Sequence, residues 1–243
     1  DGLPVKGRAV ATLNLPQEPS LVDAELEWRE NTGQLIVMAR DNADPLLDLP
    51  WLITHEQFTI SDGRWNWPYQ GFPLSGRMGI KIDNWQQGLE NALISGRINV
   101  LTQGEAGKGN AVLNFGPGKL SMDNSVMPMQ LTGEAKQGNL IFYARLPAKL
   151  TGSLSDPALA FEPGALLRSR GRLIDSLDID EIRWPLAGVK VTQRGVDGRL
   201  QAILQAHENE LGDFVLHMDG LANDFLPDAG RWQWRYWGNG RFT

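Results

Sequence analysis

"GNLIFYARL", residues 138 to 146, sets Leu140, Phe142, Ala144 and Leu146 on one side of an extended chain and Tyr143 and Arg145 on the other. Side chains on a strand point to alternate faces, so this pattern predicts a strand with one apolar face and one wet face. The same period recurs along the chain. In "GRMGIKID", Met78, Ile80 and Ile82 oppose Arg77, Lys81 and Asp83; in "SGRINVL", Ile98 and Val100 oppose Arg97 and Asn99. Leu113 and Phe115 alternate with Asn114, and Leu200 and Leu204 with Arg199, Gln201 and Gln205. Phe214, Leu216 and Met218 oppose His217 and Asp219. In "GRWQWRYWG" (230–238), Trp232, Trp234 and Tyr236 alternate with Arg231, Gln233 and Arg235. Half-wet alternation of this kind belongs to antiparallel sheets.

Between the runs lie "NTG" (31–33), "SDG" (61–63), "GPG" (116–118), "AKQG" (135–138) and "VDG" (196–198), rich in residues that tolerate the positive φ angles of hairpin turns. The runs number roughly sixteen to eighteen. Helical signals are scarce. "NWQQGLENAL" (84–93) is interrupted by Gly88, and "PGALLRSRG" (163–171) has room for one turn. "DNADPLLDLPW" (41–51) carries two prolines that cannot donate to a ladder, which predicts a crossover within 41–55. "GEAGKGNAVLNF" from Gly104 and "GEAKQGNLIFYA" from Gly133 share a pattern that predicts two hairpins of the same build. The expected fold is all-β: an elongated, mostly antiparallel sheet with almost no helix, running as a single segment over 1–243.

Composition excludes several classes. Charged residues are 21% and hydrophobic residues 42%, which fits neither a disordered tail nor a helical membrane protein. A net charge of −6 lacks the basic footprint that nucleic acid requires. The absence of Cys rules out disulfides, thiolate metal sites and a Cys nucleophile. The chain opens on Asp1 rather than Met, which predicts an internal section of a longer protein.

Little in the sequence carries catalysis. His55, His207 and His217 have no ligand spacing, so no metal site is expected. "AGKGN" (106–110) lacks the first Gly and the Ser/Thr of a phosphate loop. In "DSLDIDEIRW" (175–184), Asp178 and Asp180 share a strand face; paired carboxylates can hydrolyse sugars, but the pattern alone reads as a solvated face. No catalytic residue and no cofactor are expected. The Trp pairs, Trp65 with Trp67 and Trp232 with Trp234, leave three readings open. They are an exposed platform for sugar rings, the filling of a closed sandwich, or the wall of a lipid-holding trough.

The stretches "SLDIDEIRWPLAGVKVTQRGVDGRLQAIL" (176–204) and "DFLPDAGRWQWRYWGNG" (224–240), with "NWQQGLENA" and "VLNFGPGKL", resemble the AsmA-like, TamB-related family of Gram-negative bacteria, in its YdbH-type branch. The resemblance implies a periplasmic section of a protein anchored in the inner membrane and reaching towards the outer one. Its sheet would curl into an open half-pipe, the β-taco or repeating β-groove, along which phospholipids pass. It also implies two protein partners, the outer-membrane lipoprotein YnbE and the periplasmic YdbL. The family offers no catalytic motif to carry over.

Pattern and resemblance converge. A sheet with one apolar face must bury that face against something, and no amphipathic helices are on hand to cover it. A trough that holds acyl chains meets the requirement. Its expected lining is Met78, Ile80, Ile82, Ile98, Val100, Leu113, Phe115, Leu140, Phe142, Leu200, Leu204, Phe214, Leu216, Met218, Trp232, Trp234 and Tyr236. Open strand edges would pair with neighbouring segments of the same chain. A carbohydrate-binding module or a structural β-sandwich of the cell envelope is the alternative.

Overall fold

The computed structural model describes residues 5–14, 21–39, 44–69, 72–88, 90–104, 107–209, 212–225 and 231–240, with the side chains of 68, 69, 72, 223–225 and 231–240 outside that description. The chain forms two compact units, Asp1–Lys119 and Leu120–Thr243.

The first unit is an antiparallel meander. Its strands are β1 (Lys6–Asn14), β2 (Leu21–Arg29), β3 (Thr32–Ala39), β4 (Pro45–Ile53), β5 (Gln57–Tyr69), β6 (Phe72–Asp83), β7 (Leu93–Gly104) and β8 (Gly107–Gly118). Each pairs with the next. The one described piece of helix here is a single 3-10 turn at Trp85–Gln87, entered through Asn84 at φ 59°.

The Pro-rich stretch is no crossover where it is described. Residues 45–53 form β4, with strands on both sides. The ladder absorbs the prolines at its irregularities. Pro45 opens the strand at a register shift against β3, and Pro50 lies in the shift between Asp48 and Trp51 against β5, where a missing N–H leaves no gap.

The second unit contains β9 (Ser125–Gln137), β10 (Leu140–Ser153), β11 (Asp156–Phe161), β12 (Leu166–Ile174), β13 (Leu177–Pro185), β14 (Lys190–Thr192), β15 (Gly195–Glu208), β16 (Gly212–Phe225) and β17 (Arg231–Gly240). Its pairing departs from a simple meander. β10 pairs with β12 through residues 140–145 and with β11 through 148–153. β15 likewise pairs with β13 through 203–208 and with β14 through 195–197. β11 and β12 therefore act as one strand interrupted at residues 162–165, and β13 and β14 as one strand interrupted at 186–189. β11 pairs with β14, and β12 with β13. "PGALLRSRG" thus holds a turn at Pro163–Gly164 and then becomes strand.

Seventeen strands are described in all, and both units are the expected all-β, antiparallel type. Three expected turns are bulges instead: "GPG" (116–118) lies within β8, in its shift against Ile94 and Gly96 of β7. "SDG" (61–63) sits in the shift between Ile60 and Gly63 of β5, and "VDG" (196–198) in the shift between Val196 and Gly198 of β15. Asp-Gly chemistry serves a bulge as well as a hairpin, because both need unusual backbone angles; Gly198 sits at φ 128°. The apparent repeat does not mark equivalent hairpins. β7 ends at Gly104, the first residue of one copy, whereas β9 runs four residues past Gly133 before its turn.

Candidate functional site: the apolar faces

Cross-strand register collects the alternating residues onto one face of each unit. In the first unit one row runs Gly7, Trp28, Gly33, Trp51, Ile60, Ile80, Gly96, Phe115 from β1 to β8. Large rings lie beside glycines in this row. A Cβ on Gly7 would meet the Trp28 ring at 2.1 Å, one on Gly33 the Trp51 ring at 2.2 Å, and one on Gly96 the Phe115 ring at 2.5 Å. Each ring covers bare backbone of the strand before it, a cross-strand pairing that fixes register and keeps the face apolar. Trp51 also stacks on Phe58 at 6.1 Å between ring centroids. Val22, Val37, Ala39 and Leu46 form the best-buried cluster, with Trp67 packed against it.

Met78, Ile80, Ile82, Ile98, Val100, Leu113 and Phe115 all fall on this face by register, and each is half-buried. Sequence reasoning passed over Trp28, Leu35, Val37, Leu47, Trp51 and Ile60, which share it. The signal was present: in "LVDAELEWR", Val22, Ala24, Leu26 and Trp28 alternate with Asp23, Glu25, Glu27 and Arg29. Trp65 and Trp67 belong to the same face and are half-buried, which is not the exposed polar setting of a sugar platform.

In the second unit Leu140, Phe142, Leu200, Leu204, Phe214, Leu216 and Met218 share the apolar face. All are half-buried except Phe142, which is 38% exposed. Trp232, Trp234 and Tyr236 lie on β17 in register with Ala222, Gly220 and Met218. Their side chains lie outside the described part.

The face is left half-buried along most of its length: its buried residues gather into two small clusters, around Leu46 in the first unit and Val189 in the second, while most of the rest keep part of their surface exposed. A sealed sandwich, the alternative left open by the alternation, buries such a face under a second layer.

The opposite face carries charge in complementary ladders. Arg8 bonds Glu25, Arg77 reaches Asp62 at 3.2 Å, and Lys81 reaches Asp83 at 3.0 Å. The Gln57 amide donates to Asp83 at 2.9 Å and, with Lys81, holds that carboxyl below its usual range. In the second unit Arg199 grips Asp219 through two bonds of 2.6 and 2.8 Å. Across four strands run Arg172, Asp178, His207 and Asp213. Arg172 bonds Asp178 at 2.9 Å and lowers its pKa; Asp213 bonds His207 at 2.7 Å and raises the imidazole's. Asp180 falls in a bulge of β13, and its charge, like that of Asp178, helps raise the His207 imidazole, though less than the Asp213 bond does. Among the described residues no cluster of three His, Asp or Glu could hold a metal, and no helix is long and apolar enough to cross a membrane.

A sheet of this kind, greasy on one side and salted on the other, matches one family along its full length. The family model for YdbH-like proteins, described as "Intermembrane phospholipid transport protein YdbH", covers residues 1–243. The chain belongs to the YdbH-like family. It is 85% identical over all 243 residues to the "Probable phospholipid transport protein YdbH" of Escherichia coli (strain K12). The chain spans 28% of the length of that YdbH protein. No solved structure matches it.

Proposed function

We propose that this chain is a section of a bridge that carries phospholipids between the two membranes of a Gram-negative envelope. The cargo's acyl tails lie against the apolar faces, and its headgroup stays in water. The observation that carries the reading is an apolar face in each unit whose residues are mostly half-buried rather than sealed, with Phe142 38% exposed. Such a face needs a ligand, and a hydrocarbon tail is well suited. Each buried methylene is worth about 0.8 kcal/mol, so a sixteen-carbon tail gains on the order of 10 kcal/mol over exposure to water. Most of the described side chains on the face are aliphatic or aromatic, so a tail slides among near-equal sites. Transport by shielding asks for no catalytic residue and no cofactor.

The section works in the periplasm, as part of a protein held in the inner membrane. YnbE and YdbL are its proposed protein partners, and open strand edges its means of joining neighbouring segments. The lining expected from the sequence, Trp232, Trp234 and Tyr236 included, forms the contact surface. Full-length protein purified from cells and examined by native mass spectrometry is expected to carry phospholipid. Its recovery free of lipid, from cells that supply phospholipid in excess, overturns the reading.

A further inference from the structure

The interruptions at 162–165 and 186–189 lie side by side on the apolar face of the second unit. Phe161 N–H donates to the Val189 carbonyl at 2.9 Å, Gly188 N–H to the Phe161 carbonyl at 3.0 Å, and Leu186 N–H to the Ala165 carbonyl at 2.9 Å. Ala165, Leu186 and Val189 form the unit's best-buried cluster with Leu146, packed against Leu131, Leu167 and Leu200 of the same face. Val189 is 1% and Ala165 2% exposed. Gly198 makes room beneath them: a Cβ there would lie 3.0 Å from the Val189 Cα. The turns are thus a fixed ridge, bonded to each other and seated on the sheet.

On one side of the ridge, register aligns Phe142, Ser169, Ile182, Leu204 and Leu216 in a row across β10, β12, β13, β15 and β16. On the other side the row is Met127, Leu150, Leu159, Val191 and Val196. The two rows cross β10 eight residues apart, about 27 Å at strand rise. The first row is open on β10, where Phe142 is 38% exposed; the second is covered on β9, where Met127 is 4% exposed. Continued by register through Ala135 of β9 and Gly238 of β17, the first row crosses seven strands, and six inter-strand spacings give it a length of about 29 Å. One leaflet's acyl layer, half of a hydrocarbon core, is about 15 Å deep.

Building on the lipid reading above, we infer that this ridge is a wall that confines an acyl chain to the lane from Phe142 to Leu216. Ala165, Leu186 and Val189 are then positioning residues, and Ile182 is a cargo contact that sequence reasoning did not name. The lane takes one tail lengthwise along the stacked strands. The ridge keeps it from spreading to the row beyond.

The test places a photoreactive benzoylphenylalanine at position 182 or at position 159 of the full-length protein. Cells are irradiated and phospholipid adducts counted by mass spectrometry. The wall predicts roughly tenfold more adduct at 182 than at 159, the ratio a modest partition preference gives. Trimming the ridge with Leu186→Ala and Val189→Ala is expected to bring the two positions to within about twofold of each other. Equal labelling in the untrimmed protein overturns the wall, as does a ratio that trimming leaves unchanged. Absence of adduct at both positions overturns the lipid reading itself. The untrimmed ratio decides alone if the trimmed protein does not accumulate.

Discussion

Replacing Phe142 with Asp separates the work this face does for folding from the work it does for cargo. Phe142 is 38% exposed on the apolar face. A Phe side chain offers about 200 Å² of surface, so roughly 75 Å² is available to a tail and roughly 125 Å² packs against the protein. At 25 cal/mol per Å² the tail's share is about 2 kcal/mol, and the folding share has an upper bound of about 3 kcal/mol. The first figure corresponds to roughly a thirtyfold loss of lipid affinity, before the cost of pressing hydrocarbon on a carboxylate. The comparison variant is Leu146→Ala, which empties a sealed position only 9% exposed and is expected to cost about 2–5 kcal/mol of stability. Both proteins are purified at full length, melted, and assayed for bound phospholipid by native mass spectrometry. Phe142→Asp is expected to lose far more lipid per degree of melting temperature than Leu146→Ala does. Equal loss per degree in the two variants refutes the assignment of the exposed ring to cargo.

The other predictions concern stability and titration. Leu46→Ala removes a side chain that is 0% exposed at the centre of the first unit's cluster, and chemical denaturation is expected to show a loss of about 2–5 kcal/mol. Gly33→Val drives a branched side chain into the Trp51 ring and towards the Glu27 carbonyl, 2.4 Å from where its Cβ would sit. The expected cost is about 1–3 kcal/mol, with a change in indole fluorescence as Trp51 is displaced. His207 is held above its ordinary 6.5 by the bond to Asp213. Its stabilising contribution is full below pH 6.5 and is lost as pH rises through the raised pKa. In Asp213→Asn, NMR titration should find the imidazole pKa lowered, and the melting difference from the native protein should vanish at alkaline pH. Asp83 behaves oppositely: Gln57 and Lys81 depress it, so its contribution is present above the ordinary 3.8 and fades as acid protonates it. Gln57→Leu is expected to bring that carboxyl back towards 3.8, read by the carboxyl carbon's chemical shift.

For the conduit proposed above, the two faces divide the requirements. Charge ladders such as Arg199 with Asp219 sit on exposed ground, where an ion pair adds little stability. They keep the outer face wet. The apolar face is arranged so that its bareness does not expose backbone: rings of Trp28, Trp51 and Phe115 lie over Gly7, Gly33 and Gly96. Those ring-on-glycine contacts lie within one sheet, between neighbouring strands.

Period-two alternation is a local property, and by itself it determined which segments are strands and which side of each is apolar. Met78, Ile80 and Ile82, like Leu200 and Leu204, needed no knowledge of their neighbours to be placed on one face. Partner choice is not local. Nothing within "FEPGALL" or "WPLAGVK" states that β10 divides its edge between β11 and β12, or that two four-residue excursions will meet. Those pairings follow from hydrogen bonds between backbones distant in sequence, such as Leu186 to Ala165, and from the glycine at 198 that lets Val189 approach. Bulges escaped notice for the same reason, since a two-against-one mismatch exists only between strands. Whether the apolar face would be sealed or left open also waited on the tertiary structure, because alternation describes a face and only packing supplies what lies across from it.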